Sequence, residues 1–254
     1  MKKSQLAAQL YTLRDFMQTP HDFQGSLEKV RKIGYEAVQI SGVASLAEKD
    51  IVKMCSDLGL SIIATHEPGN DICDNTQKVI DHLKALGCRC TAYPWPHVFS
   101  LTHTGAVLFA KKLNAAAEKM AAAGLELSYH NHDIEFARLD GEYLLDIIYR
   151  EAPALKAELD VFWVAAGGND PVEWIEKMAG RQTLIHLKEY GVANKGGRQM
   201  RAVGDGNLKW DRIIPAAEKA GVKHFIVEQD DCNGKCPFDE LERSFRFISE
   251  HFFD

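Results

Sequence analysis

The stretch Thr183–Lys188, which reads Thr-Leu-Ile-His-Leu-Lys, is an apolar run of strand length that ends on polar side chains. Short apolar runs of this kind are typical of buried strands. Seven other runs share the pattern: Gln5–Tyr11, Tyr35–Ile40, Leu60–Thr65, Cys88–Tyr93, Leu125–His130, Leu155–Asp160 and His224–Gln229. Helical patterns lie between them, and this alternation predicts parallel βαβ units.

Glycines mark where the predicted helices stop. Each stands just before a predicted strand, where a left-handed helix end favours glycine: Gly34, Gly59, Gly87, Gly124 and Gly221. The recurrence indicates repeated units, and a closed barrel of eight such units takes about 250 residues. We therefore predict that residues 1–254 form one α/β domain, a (β/α)8 TIM barrel. An open doubly wound sheet is less favoured, because the turn at Leu10–Arg14 lacks the glycines that cradle a pyrophosphate.

The composition predicts a globular protein of the cytoplasm. Hydrophobic residues make up 46% of the 254 positions and charged residues 26%, and the formal net charge is -6. An acidic balance argues against nucleic acid as a partner. The N-terminus joins no basic segment to a long apolar one, so we expect neither secretion nor a membrane span.

Polar residues collect at the ends of the predicted strands. In a TIM barrel the carboxyl ends of all strands open onto one mouth, where active sites are built. The residues expected there are Tyr93, Trp95, His130, Asn131, His132, Asp160, His186, Lys188 and Glu228. Aspartate, histidine and glutamate together suggest a bound metal ion.

Six short motifs extend the interpretation to almost the whole chain: Gln9–Arg14, Tyr129–Phe136, Leu159–Trp163, Ile185–Lys188, Val203–Gly206 and Val227–Asp230. In this order on eight units, they resemble the sugar phosphate isomerase/epimerase proteins of the xylose isomerase-like barrel superfamily. The resemblance implies a sugar or keto-sugar substrate. It also implies metal ligands from strands six, seven and eight, which fall on Asp160, His186 and Glu228.

The metal and its fourth ligand remain partly open. Two carboxylates and one imidazole suit Mn²⁺, which we expect, or Mg²⁺ or Co²⁺ better than they suit a thiolate-rich Zn²⁺ site, although Zn²⁺ is an alternative. Many relatives place a glutamate at the end of the fifth strand, where this chain has His130. Either Glu135 folds back to the ion, which we favour, or His130 or His132 replaces the carboxylate.

Trp163 departs from the pattern of multi-zinc relatives. Those proteins, including endonucleases, tend to carry Asp-x-x-His on the sixth strand, whereas this chain reads Asp160-Val161-Phe162-Trp163. Indole cannot ligate a metal, so a multi-zinc phosphodiesterase is disfavoured. Trp95 and Trp163 instead offer flat apolar surfaces for a sugar ring, unless both are core aromatics.

The predicted chemistry is proton abstraction next to a carbonyl, through an enediolate, in a metal-dependent sugar isomerase or epimerase. Candidate bases are His132, Glu135 and His66, and Lys188 is a candidate donor unless it is a solvated loop lysine. Gln9, Tyr11, Arg14, His66 and His130 are candidates for lining the substrate pocket. The alternatives are a metal-dependent lyase or dehydratase on a keto-sugar or 3-keto-glycoside, and a noncatalytic carbohydrate-binding barrel.

Overall fold

Eight short parallel strands close into one barrel in this computed structural model, which describes residues 1–96 and 100–254. The barrel strands, numbered β1 to β8 here, are Leu6–Gln9, Ala37–Ile40, Ser61–His66, Cys90–Tyr93, Glu126–His130, Lys156–Asp160, Gln182–Leu187 and His224–Val227. Strand β1 pairs with both β2 and β8, which closes the sheet. The prediction of a TIM barrel is confirmed.

Helices surround the barrel and follow the strands along the chain. They span Pro20–Ile33, Glu48–Asp57, Gly69–Asp74, Thr76–Leu86, His103–Ala122, Leu144–Glu151, Val161–Ala166, Pro171–Lys177, Trp210–Ala220 and Pro237–Phe252. The first begins where the Thr19 hydroxyl accepts the N–H of Asp22 at 3.1 Å, which satisfies one free helix donor. The predicted helix stop at Gly87 has φ 66°, a left-handed conformation. No helix among the described residues is both long enough and apolar enough to span a membrane.

The strands match the predicted runs but are shorter. The first ends at Gln9, because the Gln9 side chain accepts the N–H of Tyr11 at 3.3 Å and the chain turns into a 3-10 helix at Leu10–Phe16. Tyr11, predicted on the strand, therefore lies on this turn. Two antiparallel hairpins lie outside the barrel, Arg138–Leu139 with Glu142–Tyr143 and Glu189–Val192 with Arg198–Arg201.

The barrel interior has an apolar floor beneath a polar layer. The floor includes Ala7, Ala37, Ala64, Leu184 and Ile226, all buried. Side chains alternate along a strand, so the residues two positions later face the same way. In those positions stand Gln9, Gln39, His66, His186 and Glu228. The opposite faces of the strands carry apolar residues such as Leu159 and Phe225, which are fully buried and contribute about 2 kcal/mol each to folding.

Candidate metal centre

Four buried side chains from consecutive strands meet at the barrel mouth. The candidate ligand atoms of His130, Asp160, His186 and Glu228 all lie within 4.8 Å of one another. His186 Nδ1 lies 2.8 Å from Glu228 Oε2 and 3.9 Å from Asp160 Oδ2. Asp160 is paired with His186 in the sheet register, which places the two side by side. The structure thus contains a possible metal-binding cluster that includes the three predicted ligands.

Asp160 presents one carboxylate oxygen, Oδ2, to this cluster. Its Oδ1 accepts the N–H of Trp163 at 3.1 Å and caps the following helix. Its Oδ2 is buried and forms an ion pair with Lys188 Nζ at 2.9 Å. Asn131 bonds to the backbone of Asp160 and holds it in place. A buried carboxylate oxygen that already faces an ammonium group suits a cation.

Lys188 is buried at the edge of the cluster. Its side chain is only 1% exposed, and Nζ lies 2.9 Å from Asp160 Oδ2, 2.7 Å from Glu228 Oε2 and 2.8 Å from Asp230 Oδ2. The alternative of a solvated loop lysine is therefore wrong. Burial alone would lower the pKa of Lys188, but the three carboxylates hold it well above its ordinary value, so the side chain is an ammonium ion.

The acidic groups around Lys188 outnumber it. Burial alone would raise the pKa of Glu228, but Lys188 and His186 hold that pKa well below its usual range. The pKa of Asp230 is raised to about 6, first by burial and then by Glu228. Glu158 is a further fully buried carboxylate below the cluster. Burial alone would lower the pKa of His186, but Glu158 and Glu228 raise it to about 10, so its ring is a second cation. Two cations among the carboxylates of Asp160, Glu228, Asp230 and Glu158 leave an excess of negative charge, which favours a bound cation.

Glu135 lies apart from the cluster. One of its oxygens accepts the Tyr129 hydroxyl at 2.8 Å and the other accepts the N–H of His132 at 2.7 Å. This placement differs from the prediction that Glu135 folds back to the ion, because the short 3-10 helix Ile134–Phe136 returns its carboxylate to β5. His130 stands in the fourth position instead. Burial raises the pKa of Glu135 to about 7.

Replacement of Glu135 by Gln is expected to remove a pH-dependent loss of stability. The folded pKa of about 7 exceeds the ordinary value of 4.5. Glu135 therefore adds stability that is fully present below pH 4.5 and is lost as the pH rises through 7. The difference amounts to about 3 kcal/mol in the free energy of unfolding at alkaline pH. Urea unfolding of both proteins from about pH 5 to pH 8 measures it.

The Gln side chain preserves both contacts, since its oxygen accepts from His132 and its amide donates to Tyr129. Exposed Glu250→Gln serves as the matched control and should leave the pH profile of the wild type unchanged. If the free energy of unfolding changes with pH in the same way in the wild type and in Glu135→Gln, the raised pKa of Glu135 is contradicted.

A cavity of about 520 Å³ opens onto the cluster. Of the predicted pocket residues, it is lined by Tyr11, His66, Trp95, His130, His132, Trp163 and Lys188. His132 packs against both indoles, with ring centroids 4.6 Å from Trp95 and 5.1 Å from Trp163. The pKa of His132 is held far below its ordinary value by burial and then by His130 and Lys188, so the imidazole is neutral. Gln9 is fully buried beneath this cavity.

Several residues at the site were not predicted from the sequence. Asp230 lines the cavity beside the predicted Arg14, while Gln39 and Glu158 lie buried below the cluster. The sequence does contain a signal for Gln39 and Glu158. Glu158 stands two positions before Asp160, so the two side chains share the inward face of one strand. Gln39 is the one polar residue in the stretch Ala37–Ile40.

Comparison with known proteins agrees with this geometry. Residues 27–251 match the family model described as xylose isomerase-like TIM barrel. No curated protein matches the chain significantly in sequence.

Solved structures share the fold at low sequence identity. A sugar phosphate isomerase/epimerase from Parabacteroides distasonis ATCC 8503 is 24% identical, with a TM-score of 0.84 over 100% of this chain and 96% of that one. A probable 3-DHS dehydratase involved in petrobactin synthesis from Bacillus anthracis is 14% identical, with a TM-score of 0.74 over 99% and 100%. An L-ribulose 3-epimerase is 16% identical, with a TM-score of 0.74 over 96% and 93%.

Proposed function

Because this chain belongs to the xylose isomerase-like TIM barrel family, we propose that it is a divalent-metal-dependent isomerase or epimerase of a sugar or keto-sugar. The observation that carries the proposal is the cluster of two carboxylates and two imidazoles that faces a cavity lined by two tryptophans. Two proteins of the same fold are a sugar phosphate isomerase/epimerase and an L-ribulose 3-epimerase, which supports this choice.

Asp160, His186, Glu228 and His130 would hold the ion. When bound, a divalent ion polarises a substrate carbonyl and lowers the cost of removing a proton from the neighbouring carbon. We propose Mn²⁺ as the native ion. A histidine in place of a fourth oxygen ligand makes the site richer in nitrogen, which favours Mn²⁺, Co²⁺ or Zn²⁺ over Mg²⁺.

The protein groups around the cavity divide the remaining work. Trp95 and Trp163 bind the apolar face of the sugar and exclude water from it. His132 lies between them at the cavity wall and is, by this position, the proposed acceptor of the proton from the carbon next to the carbonyl. Lys188 lines the same cavity, and Asp230 keeps its ammonium group in place. When Asp160 and Glu228 bind the ion, the N–H groups of Lys188 that they now accept would be free to donate to a substrate oxygen.

A lyase or dehydratase on a keto-sugar is the second candidate. Elimination next to a carbonyl needs a base and an acid that protonates the leaving group, and His132 and Lys188 line the same cavity. The probable 3-DHS dehydratase from Bacillus anthracis has the same fold. Either reaction begins with the same proton abstraction, so product analysis separates them.

Solvent exchange tests the proposed function. The protein is stripped with a chelator, supplied with Mn²⁺, and incubated in deuterium oxide with a panel of sugars and their oxidised keto forms. We expect deuterium in the recovered substrate and in an isomer or epimer, at the carbon next to the carbonyl, only when metal is present. An unsaturated product that has lost a substituent would identify a lyase. Tight sugar binding without deuterium exchange would contradict both enzymatic functions and identify a noncatalytic carbohydrate-binding barrel.

A further inference from the structure

Gln39 and Glu158 form a buried pair directly beneath the candidate metal ligands. Gln39 Nε2 donates to Glu158 Oε1 at 2.7 Å, and both side chains are fully buried. Each lies where the pairing with the neighbouring strand shifts by one residue, between Val38 and Gln39 and between Ala157 and Glu158. Such bulges re-aim side chains next to functional sites.

The direction of the hydrogen bonds through Gln39 is determined from both ends. At one end, Gln9 Oε1 accepts the backbone N–H of Tyr11, so the amide group of Gln9 faces Gln39 and donates to its Oε1 at 2.9 Å. At the other end, the Glu158 carboxylate requires a donor, which is the amide group of Gln39. Gln39 Oε1 therefore points away from Glu158 and can only accept.

This acceptor contacts a candidate metal ligand. His186 Nε2 lies 2.7 Å from Gln39 Oε1, so Nε2 must carry the proton and donate it. The other nitrogen, Nδ1, faces Glu228 at 2.8 Å and Asp160 at 3.9 Å. Without an ion, both ring nitrogens of His186 face hydrogen-bond acceptors and Nδ1 donates to Glu228. When Nδ1 gives up its proton to bind an ion, Nε2 keeps its proton on Gln39 and the Nδ1 lone pair faces the candidate metal centre.

Glu158 faces the second histidine at a longer distance, through its charge and without a hydrogen bond of good geometry. Its Oε2 accepts from His66 Nε2 at 2.7 Å and lies 3.4 Å from His130 Nδ1. His130 Nε2 points to the other side, 3.9 Å from Asp160 Oδ2. Each of the two histidines thus presents one nitrogen to the buried pair and one to the candidate metal centre.

We propose that Gln39 and Glu158 are positioning residues that fix the tautomers of His186 and His130, so that His186 offers Nδ1 and His130 offers Nε2 to the ion. The inference rests on the proposed metal-dependent function. It also assigns a role to the alternative cluster of His66, His130, Glu158 and His186, whose ligand atoms lie within 4.8 Å of one another. That lower cluster holds hydrogen bonds, and the ion binds above it.

An exchange of the two side chains tests the proposal. In Glu158→Gln a single amide oxygen replaces two carboxylate oxygens and cannot accept from both Gln39 Nε2 and His66 Nε2, so a bond to His66 turns the new amide group against that of Gln39. In Gln39→Glu two carboxylates face each other. Each single variant therefore disturbs the hydrogen bond to His186. The double variant Gln39→Glu/Glu158→Gln restores it. The carboxylate introduced at position 39 still accepts from His186 Nε2 and now also accepts from the amide introduced at position 158. Changes to the hydrogen-bond partners of metal ligands alter metal affinity by about 10- to 100-fold.

Zn²⁺ alone is the probe, since it permits both calorimetry and NMR. We expect each single variant to bind Zn²⁺ about 10- to 100-fold more weakly than the wild type and the double variant to recover most of that loss. Nitrogen-15 shifts of the histidine rings should show His186 bound through Nδ1 in the wild type and in the double variant. Thermal unfolding of all four proteins separates these effects from a general loss of stability.

The experiment distinguishes failure of the proposed function from failure of the positioning role. A wild-type protein that binds no ion overturns the proposed function together with this inference. Binding of Zn²⁺ through His186 Nε2 overturns the positioning role alone and leaves the metal site standing. If the double variant binds as weakly as Glu158→Gln, Glu158 is itself a ligand and the inference is wrong. Should the single variants not fold, the ring shifts of the wild type still decide which nitrogen is bound.

Discussion

Glu228→Gln is expected to lower kcat/KM by about 10³-fold or more, because it removes one of the two charged ligands of the proposed ion. The carboxylate also holds His186 Nδ1 at 2.8 Å and Lys188 Nζ at 2.7 Å. Gln has the same shape but no charge, so the ion loses both a ligand and part of its electrostatic attraction. We expect the affinity for Mn²⁺ to fall with the activity, and calorimetry together with initial rates measures the two.

Two controls accompany this variant. Exposed Glu250→Gln makes the same chemical change far from the mouth and should keep wild-type activity. Circular dichroism should show that Glu228→Gln remains folded, since the substitution leaves the volume of the buried cluster unchanged. Full activity of Glu228→Gln in chelator-treated buffer would show that the ligand assignment is wrong.

Lys188→Met is expected to change activity and metal affinity in opposite directions. Without the ammonium group, the substrate oxygen loses its donor, and kcat/KM should fall by about 10² to 10³-fold. The same change removes a positive charge that lies 2.9 Å from Asp160 Oδ2 and 2.7 Å from Glu228 Oε2, the oxygens that would bind the ion. The affinity for Mn²⁺ should therefore rise by about tenfold or more. Calorimetry and steady-state kinetics on one preparation test both effects.

The stability of this variant depends on the ion. In the metal-free state, three carboxylates lose their buried counter-ion, and we expect a loss of about 3 kcal/mol in the free energy of unfolding. Saturating Mn²⁺ should restore much of it, since a divalent ion replaces the lost charge. Exposed Lys223→Met is the matched control and should show neither change. A lower affinity for Mn²⁺ in Lys188→Met would mean that Lys188 supports the ion rather than competing with it.

The barrel could be predicted because its signals are local. Period-two alternation, glycine stops and strand-length apolar runs each depend on a few neighbouring residues, and the cap at Asp170, which accepts the N–H of Val172, is of the same kind. Asp160, His186 and Glu228 could be placed together for a related reason. In a closed parallel barrel, residues at the carboxyl ends of adjacent strands converge regardless of the details of packing.

The fourth position shows where local signals were insufficient. His130 and Glu135 are five residues apart, and the sequence allowed either to approach the ion. A short 3-10 helix turned the Glu135 carboxylate onto Tyr129 and left His130 beside Asp160. Gln39 and Glu158 were missed because their role depends on a contact between β2 and β6 across the barrel. Their separation along the chain is 119 residues, and no local pattern encodes such a pairing.

The order of residues along the chain was enough to define the barrel, the strand that carries each polar side chain and the direction in which that side chain faces. These properties follow from the alternation of side chains within single strands. The packed barrel was needed to show which atoms meet, that Lys188 is buried among three carboxylates, and which histidine nitrogen faces the candidate ion. Those outcomes depend on the register of eight strands and on hydrogen bonds across the barrel, where a shift of one residue turns a side chain to the opposite face.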